Sequence, residues 1–225
     1  MSLYLYETHL HTTEGSACSA VSAQEHVRYY KEAGYTGIIV TDHFFNGNTA
    51  IPANLPWEER IDLFYKGYEN AKTEGDRIGL SVFFGWEAGF DGTDFLIYGL
   101  DKVWLKKHPD ILSWTVKEQY QRVHGDGGFV VHAHPFRIRS YIKEIREYPN
   151  YVDAVEVINV GNQNKNFDRR ALLYARKHKL SVTAGTDAHR LDTEHSGVGF
   201  FHKLKDIKDF ITCIKTGECE LIRPV

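Results

Sequence analysis

The chain has 225 residues, 42% hydrophobic and 25% charged, which is the composition of a globular protein long enough to bury a sizeable core. A net charge of −3 with histidine neutral excludes a general basic footprint for nucleic acid, though not a local basic pocket. No apolar run is long enough to cross a bilayer. Three cysteines without a CxxC spacing argue against a disulfide framework and for a reducing, cytoplasmic setting.

Leu3–Thr8 reads as a first strand. Ser22 with Glu25 three residues on has the pattern of a capping box and opens a helix to about Glu32. Gly34 ends it, and Gly37–Thr41 is a buried strand. A polar loop over 44–56 leads to Pro56, which starts a helix to about Thr73. Leu80–Trp86 and Phe95–Gly99 are the third and fourth strands. A helix follows at about 115–124, then a fifth strand, Gly128–Ala133, and a helix over 139–147 stopped at Tyr148-Pro149. Val152–Ile158 is the sixth strand, Asn164–Lys177 a helix and Leu180–Ala184 the seventh strand. The tail holds a short strand at Val198–Phe201, a helix near 205–215 and a closing strand at Glu220–Ile222.

Repeated strand–helix units with β-rich apolar strands imply a parallel sheet buried on both faces. About seven units fit a closed barrel more simply than the alternative, an open doubly wound sheet. The expected fold is therefore α/β, a distorted (β/α)7 TIM-like barrel with residues 1–225 as a single domain. No GxGxxG or GxxxxGK[ST] run marks a nucleotide site.

The composition stands out in one way, with twelve histidines against one methionine. Six of them, with four other polar residues, fall at the carboxyl ends of the expected strands: His9 and His11 after the first, Asp42 and His43 after the second, Glu87 after the third, His132 and His134 at the fifth, Asn159 after the sixth, Asp187 and His189 after the seventh. In a β/α barrel those ends meet at one face, where active sites are built. Residues i and i+2 of an extended segment point the same way, so each of three pairs (9/11, 132/134 and 187/189) can aim two ligands at one ion. A single such pair equally fits two solvent-facing strand residues; the ordered set does not. A mixed imidazole and carboxylate shell suits Zn, Mn or Fe better than Ca. About eight candidate ligands exceed one tetrahedral site, so two or three divalent cations are expected, with Glu87 as bridge.

The runs HLHT at 9–12, TDH at 41–43, GWE at 85–87, AHPFR at 133–137 and GTDAH at 185–189 together resemble the PHP (polymerase and histidinol phosphatase) family, in order and spacing along nearly the whole chain. The resemblance implies a distorted seven-stranded β/α barrel, a two- or three-metal centre and phosphoesterase activity. It implies one metal site from His9, His11, Glu87 and Asp187, a second from Glu87 with His134, and a third held by His43 and His189. Two positions depart from the family's pattern. Members often carry Asp or His a few residues after the first motif, where this chain has Ser16, Ala17 and Cys18; Glu14 is the nearest acidic group and is taken as the substitute ligand. Members also often carry a His around the fourth strand, where this chain has Asp94 and Asp101; His132 is the candidate for that vacancy.

The expected reaction is hydrolysis of a phosphate ester: cations bind its oxygens and lower the pKa of a water that attacks phosphorus in line. His43 or His189 would protonate the leaving oxygen. Arg137 and Arg190, close to the motif histidines, would contact phosphate, with Arg139 a weaker candidate. Asp42 would orient a ligand histidine or cap a turn; Asn159 would meet substrate or cap a turn. His26, His108, His124, His178 and His202 are expected to be solvated, His195 lies in a loop, and Cys18 is assigned no role. The substrate class is a small phosphorylated molecule, a nucleotide and an oligonucleotide included, with no membrane partner. Two alternatives stay open, a C–N hydrolase of amidohydrolase type on a similar barrel and a metal-binding module without catalysis.

Overall fold

The computed structural model describes residues 3–140, 142–162, 164–191 and 194–223. Nine strands form one sheet in the order β7-β6-β5-β4-β3-β2-β1-β8-β9. They are β1 Tyr4–Leu10, β2 Gly37–Val40, β3 Ser81–Phe90, β4 Thr93–Tyr98, β5 Phe129–Ala133, β6 Ala154–Asn159, β7 Ser181–Gly185, β8 Gly197–Phe200 and β9 Cys219–Ile222. The sheet curls until β7 meets β1. Just beyond β7, Ala188 bridges Leu10 in parallel, with His11 N donating to Ala188 O at 2.9 Å and Ala188 N to His9 O at 3.2 Å. The expected seven-stranded α/β barrel is thus present and nearly closed, with β8 and β9 added outside β1.

One strand runs against expectation. β3 and β4 pair antiparallel around a tight turn at Asp91 and Gly92, both at positive φ, and β4 pairs antiparallel with β5. Two residues leave no room for the crossover helix that a parallel neighbour requires, so the sheet is not uniformly parallel. The helices are α1 Ala23–Glu32, α2 Trp57–Phe64, α3 Lys66–Ile78, α4 Lys102–Lys106, α5 Val116–Gly125, α6 Lys165–His178 and α7 Ile207–Thr216. The single helix expected over 56–73 is broken at Tyr65, which ends α2 and begins α3. No helix forms among the described residues of 139–147. Ile142 N turns back to Arg139 O at 3.0 Å, while the side chains of Arg139 and Arg146 reach out to Gly161 O and Asp91 O. Ile142 packs so close to Gly92 that an added Cβ there would lie 3.3 Å from its Cα. Tertiary contacts override the local preference.

Strand alternation sorts the core. Ile39, Leu96, Tyr98, Val131 and Ala133 face inward with Tyr6, and α7 packs against this interior through Phe210, Ile211 and Ile214. Outward residues meet the helices: Phe84, Trp86, Phe95 and Val130 in one cluster with α2, α4 and α5; Ile38, Val40 and Val82 with α1 and α3; Val155 and Val157 with α6. No helix of the described residues is long and apolar enough to cross a membrane.

This alternation corrects the reading of His132. Phe129, Val131 and Ala133 point inward, so His132 points outward and is buried between Phe95, stacked at 5.2 Å, and Tyr174 of α6, edge-on at 5.8 Å. Neither ring nitrogen has a hydrogen-bond partner, and burial, with His134 nearby, pushes its pKa down to about 3. A histidine held neutral in the fold but free to charge when unfolded stabilises fully above about pH 6.5. That stability is lost as pH falls toward 3, at about 1.4 kcal/mol per pH unit. His132→Leu is therefore expected to flatten the acid side of the stability profile. Between pH 7.5 and 4.5, urea unfolding of the wild type should lose about 2–3 kcal/mol more than that of the variant. Equal losses would show that His132 is charged, or solvated, in the native state.

Candidate metal centre

The carboxyl ends of β1, β2, β3, β5 and β7 bring together His9, His11, His43, Glu87, His134, Asp187 and His189. Three groups of ring nitrogens and carboxylate oxygens each lie within 4.8 Å of one another: His9, His11 and Asp187; His9, Glu87 and His134; His11, His43 and His189. Glu87 joins them. Its Oε1 lies 3.0 Å from His134 Nε2 and 3.4 Å from His9 Nε2, and its Oε2 lies 2.8 Å from His43 Nδ1 and 3.4 Å from His11 Nε2. Asp187 Oδ1 is 3.1 Å from His11 Nε2 and 3.5 Å from His9 Nε2. The five innermost residues, His9, His11, Glu87, His134 and Asp187, are all buried.

Supporting groups fix which nitrogen each ring presents. Glu156 Oε1 accepts from His9 Nδ1 at 2.9 Å. His11 Nδ1 lies 3.1 Å from Ser16 Oγ, which donates to Asp42 at 2.7 Å. His189 Nδ1 faces Asp187 O at 2.8 Å. With each Nδ1 donating, each Nε2 keeps its lone pair, an arrangement that orients metal ligands. Asp42 itself accepts from Thr12 N and Oγ1 at 2.6 and 2.7 Å. It is thus the orienting residue for the first motif and for Ser16. Gly67, in the first turn of α3, lets that backbone approach; a Cβ there would lie 2.6 Å from Asp42 Oδ2.

Backbone strain falls on two of these positions. His134 has φ 29° and Asp187 φ 57°, in the left-handed region that side chains seldom adopt. The turn at His134, just after β5 ends, brings its ring inward although His132 two residues earlier points out. Gly185 meets a different demand. A Cβ there would stand 2.6 Å from His9 Cβ and 2.9 Å from Glu156 Oε1. Gly185→Ala is expected to push this pair apart and weaken divalent-cation affinity by about 10- to 100-fold, the usual cost of disturbing a supporting partner. Titration calorimetry with Mn²⁺ or Zn²⁺ reads it, and unchanged affinity would show that the His9–Glu156 contact supports no ligand.

The electrostatics are those of a site built for cations. Burial works to lower the His9 pKa, but Glu156, Asp187 and Glu87 together raise it well above the usual value. Burial and the neighbouring His43 push His11 well below. Burial works to raise Glu87 and Asp187, yet His43 and His9 around the first, and Arg137 and His9 around the second, hold both well below the carboxylate range. Burial lifts Glu7 to about 7 and Asp42 to about 6. The donor set fits a metal. His9 Nε2 and His11 Nε2 face each other at 3.1 Å, and Glu87 Oε2 is buried without a hydrogen bond. Nitrogen lone pairs and a carboxylate oxygen converging at buried positions leave a place for positive charge that divalent cations would fill.

The other expected site residues lie elsewhere. Glu14 is not at the cluster. Its carboxylate accepts from Ala23 N at the start of α1 at 3.1 Å and from Asn70 Nδ2 at 3.1 Å; the free amide and dipole of a helix N-terminus attract it. Asp101 caps α4 through Trp104 N. Arg190 is exposed and outside the cavity lining, whereas Arg137 is buried and lines it. Arg137 Nη1 donates to Asp187 Oδ2 at 2.6 Å, Nη2 to Asn159 Oδ1 at 2.6 Å and Nε to Asn162 at 3.0 Å. Asn159 passes the contact on, donating to Glu156 at 2.7 Å. His26 is buried rather than solvated, donating from Nε2 to His11 O at 2.9 Å, and burial lowers its pKa to about 4. His195 meets Tyr29 Oη at 3.0 Å, away from the cavity lining.

Above the cluster opens a cavity of about 520 Å³, lined by His43, Glu87, His134, Arg137, Asp187 and His189 from the motifs, and by Cys18, Asn46, Asn48, Phe90, Asp91 and Asp94 around them. Its size suits a small ligand. Sequence reading missed Glu156 and Glu7. A lone Glu inside the apolar run AVEVIN, and another inside YLYETHL, was the available signal, because a charge in a buried strand needs a partner.

No family model matches the chain. It is 31% identical over 120 residues, 47% of its length, to an uncharacterised protein of Methanocaldococcus jannaschii, and the match spans about half of that protein, 51%. Among solved structures it is similar to a proposed metal-dependent phosphoesterase of Bifidobacterium adolescentis, with TM-score 0.60, 16% identity and coverage of 92% of this chain and 94% of that one. A two-domain protein of Bacteroides vulgatus containing a predicted PHP-like metal-dependent phosphoesterase matches with TM-score 0.68 and 12% identity over 100% of this chain and 65% of that one. An amidohydrolase of Chromobacterium violaceum with bound sulfate matches with TM-score 0.56 and 13% identity over 82% and 87% of the two chains. At these identities the likeness establishes the fold, an α/β barrel.

Proposed function

We propose that this PHP-like barrel hydrolyses phosphate esters of small molecules at a centre of two or three divalent cations. The observation that carries the reading is Glu87, one buried carboxylate whose two oxygens face His9 and His134 on one side and His11 and His43 on the other. His9, His11, Glu87 and Asp187 would hold one cation, and Glu87 with His134 a second, Asp94 being the adjacent carboxylate on the cavity wall. His43 and His189 would hold the third. Zn, Mn and Fe suit this donor set. Bound there, such cations supply charge neutralisation of phosphate oxygens and acidification of water.

The remaining chemistry belongs to the chain. Arg137, fixed by Asp187 and Asn159, keeps further N–H groups free to donate to phosphate oxygens from the cavity wall. Asp187 thereby orients both the guanidinium and the first site. A proton for the leaving oxygen can come from His43 or His189, each partly buried on the cavity wall, when its ring is not engaged as a donor. It can otherwise come from Asp94, whose carboxyl is pushed up to about 6 by burial and by Glu87. Asn46, Asn48 and Phe90 would receive the leaving group, a size and polarity suited to a nucleotide or another small phosphorylated metabolite. Three free cysteines accord with work in the cytoplasm, where thiols stay reduced.

The similarity to an amidohydrolase favours cleavage of C–N bonds as a second reading. The two separate in a screen of cation-loaded protein against phosphate monoesters, phosphate diesters, amides and lactones. Turnover of phosphate esters is expected; turnover of amides or lactones alone would overturn the reading, and no turnover with metal bound would favour a binding module.

A further inference from the structure

The corner of the centre formed by His43 and His189 has no acidic ligand from the loop after β1, and the carboxylates that reach it, Glu87 and Asp187, are shared with the other positions. Glu14, the residue expected to supply one, caps α1 instead. What the fold brings there is Cys18, from the loop after β1. Its Sγ lies 3.1 Å from His189 Nε2, and Cys18 lines the same cavity as His43 and His189. His189 Nδ1 is committed to Asp187 O at 2.8 Å, so Nε2 carries the lone pair and faces the sulfur. His11, His43 and His189 already offer three ring nitrogens within 4.8 Å of one another. Glu87 Oε2, buried and without a hydrogen bond, reaches the same group, 2.8 Å from His43 Nδ1. Bonds of about 2.1 Å to nitrogen and about 2.3 Å to sulfur, at the tetrahedral angle, separate two donors by about 3.6 Å, so the two side chains need to part by only about half an ångström to admit the ion.

We propose that Cys18 is a thiolate ligand at this corner, giving the third position a sulfur-and-imidazole donor set that selects a thiophilic divalent cation of the zinc class. The proposal rests on the cation-centre reading above and adds to it both a ligand and a metal preference. On binding, the S–H bond of Cys18 breaks, a sulfur–metal bond forms and the proton leaves to solvent. A soft donor ranks zinc, cobalt and cadmium far above magnesium and manganese, which favour oxygen. The centre would then be mixed, with oxygen-rich positions around Glu87 and Asp187 and one sulfur-bearing position. Cys18 is exposed on the cavity side, so an incoming cation can reach it.

The test uses the whole chain, stripped of metal and titrated with Co²⁺. Wild type is expected to develop a near-ultraviolet sulfur-to-cobalt charge-transfer band together with the visible bands of bound Co²⁺. Cys18→Ser should lose the charge-transfer band and one equivalent of cobalt. Cys18→Asp should regain the equivalent without the band. In parallel, zinc should protect Cys18 from iodoacetamide, mapped by mass spectrometry, at least tenfold more than the same concentration of Mn²⁺. Visible cobalt bands without a charge-transfer band, or alkylation of Cys18 unaffected by zinc, would overturn the thiolate assignment and leave the phosphoesterase reading standing. Failure of Co²⁺ to bind at all would overturn both.

Discussion

Glu87→Gln is expected to lower turnover of the best phosphate ester by about 10³-fold or more and to strip the protein of most of its metal. The exchange keeps volume and shape but removes the charge and one of the two acceptor oxygens. Oε1 serves His134 and His9, and Oε2 faces His43 and His11, so this one carboxylate meets four of the ligand histidines. Electrostatic stabilisation by such a centre amounts to several kcal/mol, and each 1.36 kcal/mol is a factor of ten in rate. The fold itself should persist, because Gln keeps the volume of Glu87, its neutralisation relieves the desolvation of a buried anion, and His9 and His43, which it helps hold charged, can lose their protons in response. Elemental analysis, circular dichroism and kcat/KM on the same preparation read the three consequences. Wild-type turnover with a full metal complement would show that Glu87 is structural only.

The second large effect concerns stability. Arg137→Met is expected to destabilise the metal-free protein by about 3–5 kcal/mol, a loss of roughly 10 °C in Tm for a chain of this size. The guanidinium is buried, and all three of its nitrogens are used, on Asp187, Asn159 and Asn162. Removing it leaves a buried carboxylate without its cation and two amide oxygens without donors. Bound divalent cations would neutralise Asp187 from its other side, so the loss should be smaller in metal-loaded protein. Thermal unfolding with and without chelator measures both values. A shift under about 2 °C in the metal-free state, or one that metal leaves unchanged, would mean that the Arg137–Asp187 pair does not couple to the centre.

Much of the site was legible because strand ends in a barrel converge whatever their distance in sequence. Seven short apolar runs located the seven barrel strands, and the polar residues at or just after the ends of four of them located His9, His11, His43, Glu87, Asp187 and His189. The failures have specific physical origins. His132 and His134 read as one i, i+2 pair, but β5 ends at Ala133 and His134 turns into the left-handed region, so one ring goes to the core and the other to the site. Glu14 looked like a ligand by its sequence proximity to the first motif, yet a free helix amide 3.1 Å away claims it. The reversal of β4 follows from the two-residue Asp91-Gly92 turn, whose consequence for direction was visible in the short spacing between β3 and β4. Glu156 and Glu7 needed three-dimensional context, since only the curled sheet shows that they back His9 from behind.

Anomalous scattering from crystals of active protein grown with Mn²⁺ would test the shared centre most directly. Two or more peaks are expected within about 2.0–2.3 Å of the ring nitrogens and carboxylate oxygens of His9, His11, Glu87, His134 and Asp187. A map with no peak among those residues, from protein that still hydrolyses phosphate esters, would contradict it.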